Sequence, residues 1–259
     1  LRHRHYIKSE KYKGEIHFST GSNTARSSSN FYALNNGIAT LFEIRGVGIG
    51  KTSFKRRINS GLAVGFSFLK TAYENSSFIF NQIDIANRYT NDIVLQHERS
   101  IYTDVIKAID IESNELIDFT TTMHSSKDSY AISKRDRPLA YIIKKNNYGF
   151  IEKLNDVGVN YVEFEKDTMI YSGSYKVVEF NNNFKVYEKM KMQKVVTSIE
   201  YSNNKFSKGD IIVSMNQKRS NLIAELLEPE APNSYVSFGI IKTSLNKQLP
   251  IYRIKNFNN

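Results

Sequence analysis

The chain has 259 residues, of which 40% are hydrophobic and 24% charged, with a formal net charge of +10 and no cysteine. This size and apolar content allow one large or two modest packed domains and exclude a largely disordered chain. The absence of cysteine excludes disulfides, thiolate metal sites and cysteine nucleophiles, and no apolar run approaches the length of a membrane-spanning helix.

The beginning of the chain predicts a loop region followed by one strand. Residues 1–37 show no hydrophobic periodicity and are predicted to be irregular, with a loop rich in Ser, Thr, Gly and Asn at 19–30. Residues 38–44 form a short run that is apolar except for Glu43, and this run predicts a buried strand. A glycine-rich turn at 46–50 follows it.

Two helices are predicted after this turn. Ser53 is a suitable N-cap, and an apolar stripe follows, with residues spaced three or four apart from Phe54 to Tyr73. A second helical stretch is predicted at about 78–89. From about residue 92 the pattern changes, and a domain boundary is predicted there. Strands are then predicted at 100–111, 116–122, 139–143, 161–164, 176–180, 194–201 and 210–215, with helices at 148–157 and 217–227.

The positive charge is densest at the start of the first predicted helix, at Lys51, Lys55, Arg56 and Arg57. A basic chain can bind anionic partners, including nucleic acid. No nucleic-acid recognition signature accompanies the charge, so a lysine-rich solvated surface is favoured over nucleic-acid binding.

The sequence Gly46-Val-Gly-Ile-Gly-Lys51-Thr52 lies between a predicted strand and a predicted helix, as a phosphate-binding loop does. In such a loop the backbone amides and Lys51 would hold phosphates, and Thr52 would hold magnesium. However, the pattern requires a glycine where Arg45 stands, and no convincing apolar strand ending in Asp follows. A turn that lets the helix pack closely on the strand is therefore favoured over a nucleotide-binding site.

Glu43 is a carboxylate within an apolar run, where burial costs several kcal/mol unless the charge is paired. Arg45, two residues later, would lie on the same face of a strand. From these residues alone, a local ion pair between Glu43 and Arg45 is favoured over a catalytic role.

The stretch around Glu43, residues 35–50 with the sequence NNGIATLFEIRGVGIG, runs on into Phe54-Lys-Arg-Arg57. It resembles the end of the catalytic domain of bacterial zinc carboxypeptidases of the carboxypeptidase A superfamily. Two later stretches are similar to the accessory region of these proteins, in the same order. One is residues 137–159, which begins Arg-Pro-Leu-Ala-Tyr, and the other is residues 217–235, which contains Leu-Glu-Pro-Glu.

This resemblance implies an α/β chain in two parts. Residues 1–91 would be the C-terminal part of a carboxypeptidase-like mixed-sheet catalytic domain, and residues 92–259 an α+β accessory domain. It implies that Glu43 is the essential acid/base of zinc-dependent hydrolysis at the C-terminus of a peptide or protein substrate. Family members are commonly exported, so the resemblance also implies a periplasmic or extracellular location.

The zinc ligands of the family, a His-x-x-Glu pair and a later His, precede the catalytic glutamate. No His-x-x-Glu begins at any histidine of this chain, which are His3, His5, His17, His97 and His124. The ligands are therefore expected upstream of Leu1 or on a second polypeptide, and the isolated chain is expected to be inactive. His3 and His5 share a strand face, but solvated terminal histidines are favoured over a weak metal site. A non-catalytic binding module derived from the peptidase is the alternative.

The loop before the catalytic glutamate faces the substrate in this family, and bacterial members often carry adjacent Arg and Asn there. Here Ser29 precedes Asn30, and Arg26 stands three residues before Ser29. Arg26 and Asn30 are the candidates for substrate binding, because a guanidinium fork suits a carboxylate. A surface arginine in a mobile loop is the favoured alternative for Arg26.

Overall fold

A computed structural model of the chain describes residues 5–46, 48, 50–88 and 91–255. Over these ranges it is a mixed α/β protein with two β-sheets and five α-helices. Its internal contacts define two compact units. Unit 1 comprises Leu1–Asn23, Ala39–Ile85 and Glu98–Tyr130, and unit 2 comprises Thr24–Ile38, Ala86–His97 and Ala131–Asn259. Within the described ranges, no helix has both the length and the apolar character needed to cross a membrane.

Unit 1 contains most of a four-stranded sheet in the order β1-β2-β4-β3, formed by β1 (Ile7–Tyr12), β2 (Glu15–Thr20), β3 (Ile93–Ile109) and β4 (Leu116–Arg135). β1 and β2 form an antiparallel hairpin, and β2 pairs with β4 in parallel. The hairpin turns at Lys13 and Gly14, whose φ angles of 49° and 91° match the positive values of a two-residue turn. The prediction that residues 1–37 are irregular is therefore wrong for 7–20, and it is also wrong for Ser28–Leu34, which form a helix. Polar residues occupy both faces of β1, which hides the period of two that marks a half-buried strand.

The helical part of unit 1 is formed by α2 (Phe54–Glu74) and most of α3 (Ser76–Asn87). Both helices were predicted, α2 from the spacing of its apolar residues, and the structure confirms them. Neither helix has a buried residue. The apolar stripe of α2 is instead solvent-facing, with Phe66 68% and Leu69 66% exposed.

The buried strand predicted at 38–44 is wrong. The segment has no regular secondary structure and pairs with none of the strands that the structure describes. Ile38, Leu41 and Phe42 are exposed on it. An apolar run becomes a buried strand only when neighbouring strands satisfy its backbone and cover its side chains, and the described part of the chain supplies neither here.

Unit 2 is built on a six-stranded sheet in the order β6-β9-β5-β10-β7-β8. Its strands are β5 (Ala140–Ile143), β6 (Val162–Glu163), β7 (Thr168–Tyr187), β8 (Met190–Phe206), β9 (Ile211–Ser214) and β10 (Gln248–Ile254). The helices α1 (Ser28–Leu34), α4 (Tyr148–Asp156) and α5 (Ser220–Leu227) belong to the same unit. The predicted strands from residue 100 onward and both later helices are confirmed, although the hairpin strands extend well beyond their apolar runs.

The core of unit 2 packs side chains of the central strands against α4 and α5. Ile143, Leu154, Val213, Ile223 and Ile251 are among the residues of this core that are at most 2% exposed. β10 lies between β5 and β7 in the sheet, and no strand was predicted at its residues from the sequence. Pro250 argues against a central strand, because proline cannot donate to a ladder. The sheet accommodates it with a register shift between Gln248 and Tyr252.

Candidate functional site

Glu43, the predicted acid/base, lies in the irregular segment of unit 1 and is exposed. No hydrogen bond or ion pair joins it to Arg45 among the described residues, so the predicted local ion pair is wrong. The backbone oxygen of Arg45 instead accepts a hydrogen bond from Nη2 of Arg56 at 2.8 Å. The Glu43 carboxylate is therefore hydrated in this chain, and a partly desolvated carboxylate requires a further surface over it.

The glycine-rich turn after Glu43 has a packing explanation. A Cβ atom on Gly46 would lie 2.0 Å from Cδ of Arg57, so a larger residue there would displace the Arg57 side chain that crosses the turn. Gly50–Ser53 forms one turn of 3₁₀ helix and leads into α2, with Lys51 exposed. Positions 47 and 49 of the predicted loop lie outside the described residues. A phosphate-binding loop follows a strand, and the segment before this turn is not one.

Arg26 and Asn30, the predicted substrate-binding residues, both lie in unit 2, whereas Glu43 lies in unit 1. Arg26 is held in place: its guanidinium lies 3.7 Å from the ring centroid of Tyr187, and Nη1 donates to Oδ1 of Asn233 at 2.9 Å. Asn30 Nδ2 donates to the backbone oxygen of Thr24 at 3.0 Å, which closes the loop before α1.

The Arg26 cluster continues to a partly buried acid. Asn233 donates to Oε1 of Glu225 from its backbone N and from Nδ2, at 3.0 and 2.6 Å. Burial raises the pKa of the Glu225 carboxyl, and these two donors and the charge of Arg26 oppose the rise. The guanidinium of Arg26 thus lies at the surface of unit 2, stacked on Tyr187. It lies beside the Asn233 amide, which is already hydrogen-bonded to Glu225.

Metal-binding geometry is limited in the described part of the chain. No group of three or more His, Asp or Glu side chains there could hold a metal ion. His3 lies outside the described residues, and Nδ1 of His5 faces Nζ of Lys127 at 2.6 Å. The described residues therefore do not form the two-histidine, one-glutamate set that the resemblance implies for zinc.

A buried polar network surrounds Glu228 in unit 2, and the sequence pattern did not predict it. Glu228 is 0% exposed. Its Oε1 accepts hydrogen bonds from the hydroxyls of Tyr141 and Tyr175 at 2.6 and 2.9 Å. Its Oε2 lies 2.5 Å from Nη1 of Arg135. Burial, together with the charge of Glu228, raises the pKa of both tyrosines well above the usual value, so both hydroxyls stay protonated as donors.

Glu230 and Arg253 complete this network. The Glu230 carboxylate accepts hydrogen bonds from Nη1 and Nη2 of Arg135, at 2.8 and 3.1 Å. It accepts another from the backbone N of Thr197, at 2.8 Å. Arg253 is 0% exposed, and its Nη2 lies 4.0 Å from Oε1 of Glu228. Arg135 thus pairs with both carboxylates and Arg253 lies beside Glu228, which joins α5 and its following loop to the sheet. The signal in the sequence was the Leu-Glu-Pro-Glu stretch, which the resemblance had already singled out.

Three stretches that carry the resemblance meet in unit 2. Arg137 donates from Nη2 to Oδ1 of Asn221 at 2.8 Å, and Asn221 donates from Nδ2 to Oδ1 of Asn36 at 3.3 Å. These residues come from the stretches beginning at 35, 137 and 217. These contacts give the motifs a structural role, because Asn221 links the stretch that begins at 137 to the stretch that begins at 35.

Comparison with known proteins identifies fungal relatives. The chain is 31% identical over 235 residues to "Carboxypeptidase 2" of Trichophyton equinum, covering 87% of this chain and 43% of that protein. It is 28% identical over 253 residues to the protein of the same name from Trichophyton tonsurans, covering 96% and 47%. With the Trichophyton rubrum protein it shares 30% over 235 residues, covering 87% and 43%. The chain thus spans less than half the length of these relatives. No protein-family model and no solved structure matches it.

Proposed function

We propose that this chain supplies the acid/base Glu43 and an accessory unit to a zinc-dependent carboxypeptidase whose metal ligands lie outside the described residues. The similarity to proteins named carboxypeptidase supports the reaction class, the hydrolysis of a C-terminal peptide bond. The relatives are more than twice as long as their matched part, which supports a metal site carried elsewhere. Zinc, the bacterial branch and export remain predictions, because the names of the relatives specify none of them.

The observation that carries this proposal is an exposed apolar surface in unit 1, called here the apolar face. It comprises exposed large hydrophobic side chains of the segment before Glu43 and of the stripe along α2: Leu41, Phe42, Phe54, Ile58, Leu62, Phe66 and Leu69. An exposed apolar patch of this kind typically marks a contact surface. Two of its members directly precede Glu43 in the chain. A protein surface that covers the apolar face would therefore also remove water from the neighbourhood of Glu43.

The chemistry that Glu43 would perform is proton transfer. As general base it accepts a proton from the water that attacks the scissile carbonyl, and as general acid it returns the proton to the leaving amine. The described residues do not form the family's two-histidine, one-glutamate zinc set, so to this reaction they contribute the proton carrier alone.

Activity of the native protein tests the proposal. The polypeptide that contains this sequence should be purified from its native source, its intact mass measured, and the release of C-terminal residues from a peptide assayed. We expect release by native material that a chelator abolishes and zinc restores, and no release by the recombinant 259-residue chain. Native material that releases no C-terminal residue would contradict the proposal, as would full activity of the recombinant chain.

A charge introduced on the apolar face should weaken assembly and leave the stability of the isolated chain nearly unchanged. Leu69→Glu is expected to change the free energy of unfolding of the isolated chain by no more than about 0.5 kcal/mol, because Leu69 is already exposed. In the complete peptidase, where the apolar face would be covered, the introduced glutamate would be buried. Its charge should lower the affinity for the zinc-bearing part about tenfold or more. Ser67→Glu, at an exposed position of the same helix outside the stripe, is the matched control. Equal effects of both substitutions on peptidase activity would show that the apolar face makes no such contact.

A non-catalytic binding module is the second candidate, favoured by the hydrated position of Glu43. An intact native mass near 29.8 kDa together with no peptidase activity would select it.

A further inference from the structure

One face of the unit 1 sheet brings two imidazoles together. β2 and β4 are parallel, with His17 opposite Thr122 and Ser19 opposite His124. Because side chains alternate between the faces of a sheet, His17 and His124 lie on the same face. Nδ1 of His17 and Nε2 of His124 are 2.9 Å apart, and the two rings are stacked with centroids 5.2 Å apart.

A carboxylate lies on the other side of the His17 ring, where Oε2 of Glu15 is 3.3 Å from Nε2. The His17 tautomer that carries its hydrogen on Nε2 donates to Glu15 and directs the lone pair of Nδ1 toward His124. Metal-binding histidines almost always donate their other ring N–H to a carboxylate, a carbonyl or a water. Glu15 therefore orients His17 as the carboxylate partner of a metal-bound histidine does.

The pair is also shielded from solvent. The His17 side chain is 12% exposed. The Tyr12 ring lies beside both imidazoles, with centroid distances of 5.1 Å to His17 and 6.1 Å to His124. A tyrosine ring in this position limits the motion of both imidazoles, which lowers the entropy lost when they bind an ion.

We propose that His17 and His124 form a binding site for a divalent transition metal ion of the zinc type. Imidazole nitrogen is a preferred ligand of such ions, and water would occupy the remaining positions. At tetrahedral zinc, with Zn–N bonds of 2.0–2.1 Å, two imidazole nitrogens are about 3.3 Å apart. Small side-chain rotations would increase the separation of the two ring nitrogens from 2.9 Å to this value. On binding, His124 carries its hydrogen on Nδ1, so that the lone pair of Nε2 faces the ion. The inference is independent of the proposed peptidase activity.

Calorimetric titration of the 259-residue chain with zinc chloride tests the site. We expect the wild-type chain to bind zinc at this site, and His17→Gln and His124→Gln each to lower its zinc affinity by at least tenfold. Glu15→Gln is expected to lower it by about 10- to 100-fold through loss of the orienting carboxylate. His97→Gln, which removes an exposed histidine elsewhere in the chain, should leave the affinity unchanged.

If a variant fails to fold, NMR spectroscopy of the wild-type chain tests the site without a substitution. Zinc should shift the ring-nitrogen NMR resonances of His17 and His124 in the wild-type chain and leave those of His97 in place. An absence of zinc binding, shifts confined to other histidines, or equal zinc affinity in folded His17→Gln and His124→Gln variants would each overturn the proposal.

Discussion

In the complete peptidase, Glu43→Gln is expected to lower kcat by about 10²- to 10⁴-fold, the range that a general acid/base group contributes. The amide keeps the size of the carboxylate but cannot accept a proton from the attacking water. The zinc content should not change, because Glu43 is the proposed proton carrier and not a proposed ligand. The measurements are kcat at saturating peptide and the zinc content by elemental analysis.

Glu112→Gln is the matched control for this substitution. Glu112 is an exposed carboxylate in the turn between β3 and β4, within unit 1. Glu112→Gln removes the same charge from the same unit and should leave kcat unchanged. Undiminished turnover in Glu43→Gln would refute the assignment of the base, and an equal loss in both variants would indicate a general effect of charge.

The second large effect is expected in the interior of unit 2. Glu228→Ala should lower the free energy of unfolding by about 3–5 kcal/mol, the usual cost of breaking a buried ion pair by removing one partner. The substitution leaves Arg135 with Glu230 alone and removes the acceptor of the Tyr141 and Tyr175 hydroxyls. Arg253 would lose its nearest buried counter-charge, although its Nε and Nη1 already lack a hydrogen-bond partner among the described residues. Urea denaturation followed by circular dichroism measures the loss.

Glu163→Ala is the control for this experiment, because Glu163 is an exposed carboxylate on β6 of the same unit. Its effect should stay within about 0.5 kcal/mol. A loss below about 1 kcal/mol in Glu228→Ala would mean that the network contributes little and that the apolar core alone holds α5 against the sheet.

The sequence predicted the elements whose apolar residues follow a helical period or form a continuous run. The stripe of α2 and the apolar runs of unit 2 gave the helices and most strands correctly. The strand predicted at 38–44 was wrong, because its apolar character fits a partner surface that the described residues do not supply. β1 was missed because polar residues lie on both of its faces, and β2 because only Ile16 and Phe18 mark its alternation. β10 was missed because proline is rare in a central strand and Pro250 lies within it.

The candidate site was predictable only in part. Glu43, Arg26 and Asn30 came from a resemblance, and their roles remain predictions. The structure shows what Arg26 and Asn30 contact, and neither contact has a local signal in the sequence. The Glu228 network joins residues that are 87 and 53 positions apart in the chain, at Tyr141 and Tyr175. Pairing over such distances depends on the sheet order and leaves no pattern in neighbouring residues.

The position of β10 has a consequence for synthesis on the ribosome. β10 inserts between β5 and β7, so the sheet of unit 2 stays split until residues 248–254 have left the exit tunnel. Until then the inner edges of β5 and β7 lack a partner, and such edges can pair with other nascent chains. Slower translation across β10 should therefore prolong this vulnerable period and increase aggregation. A silent codon change alone would alter the yield of folded protein without altering a single residue.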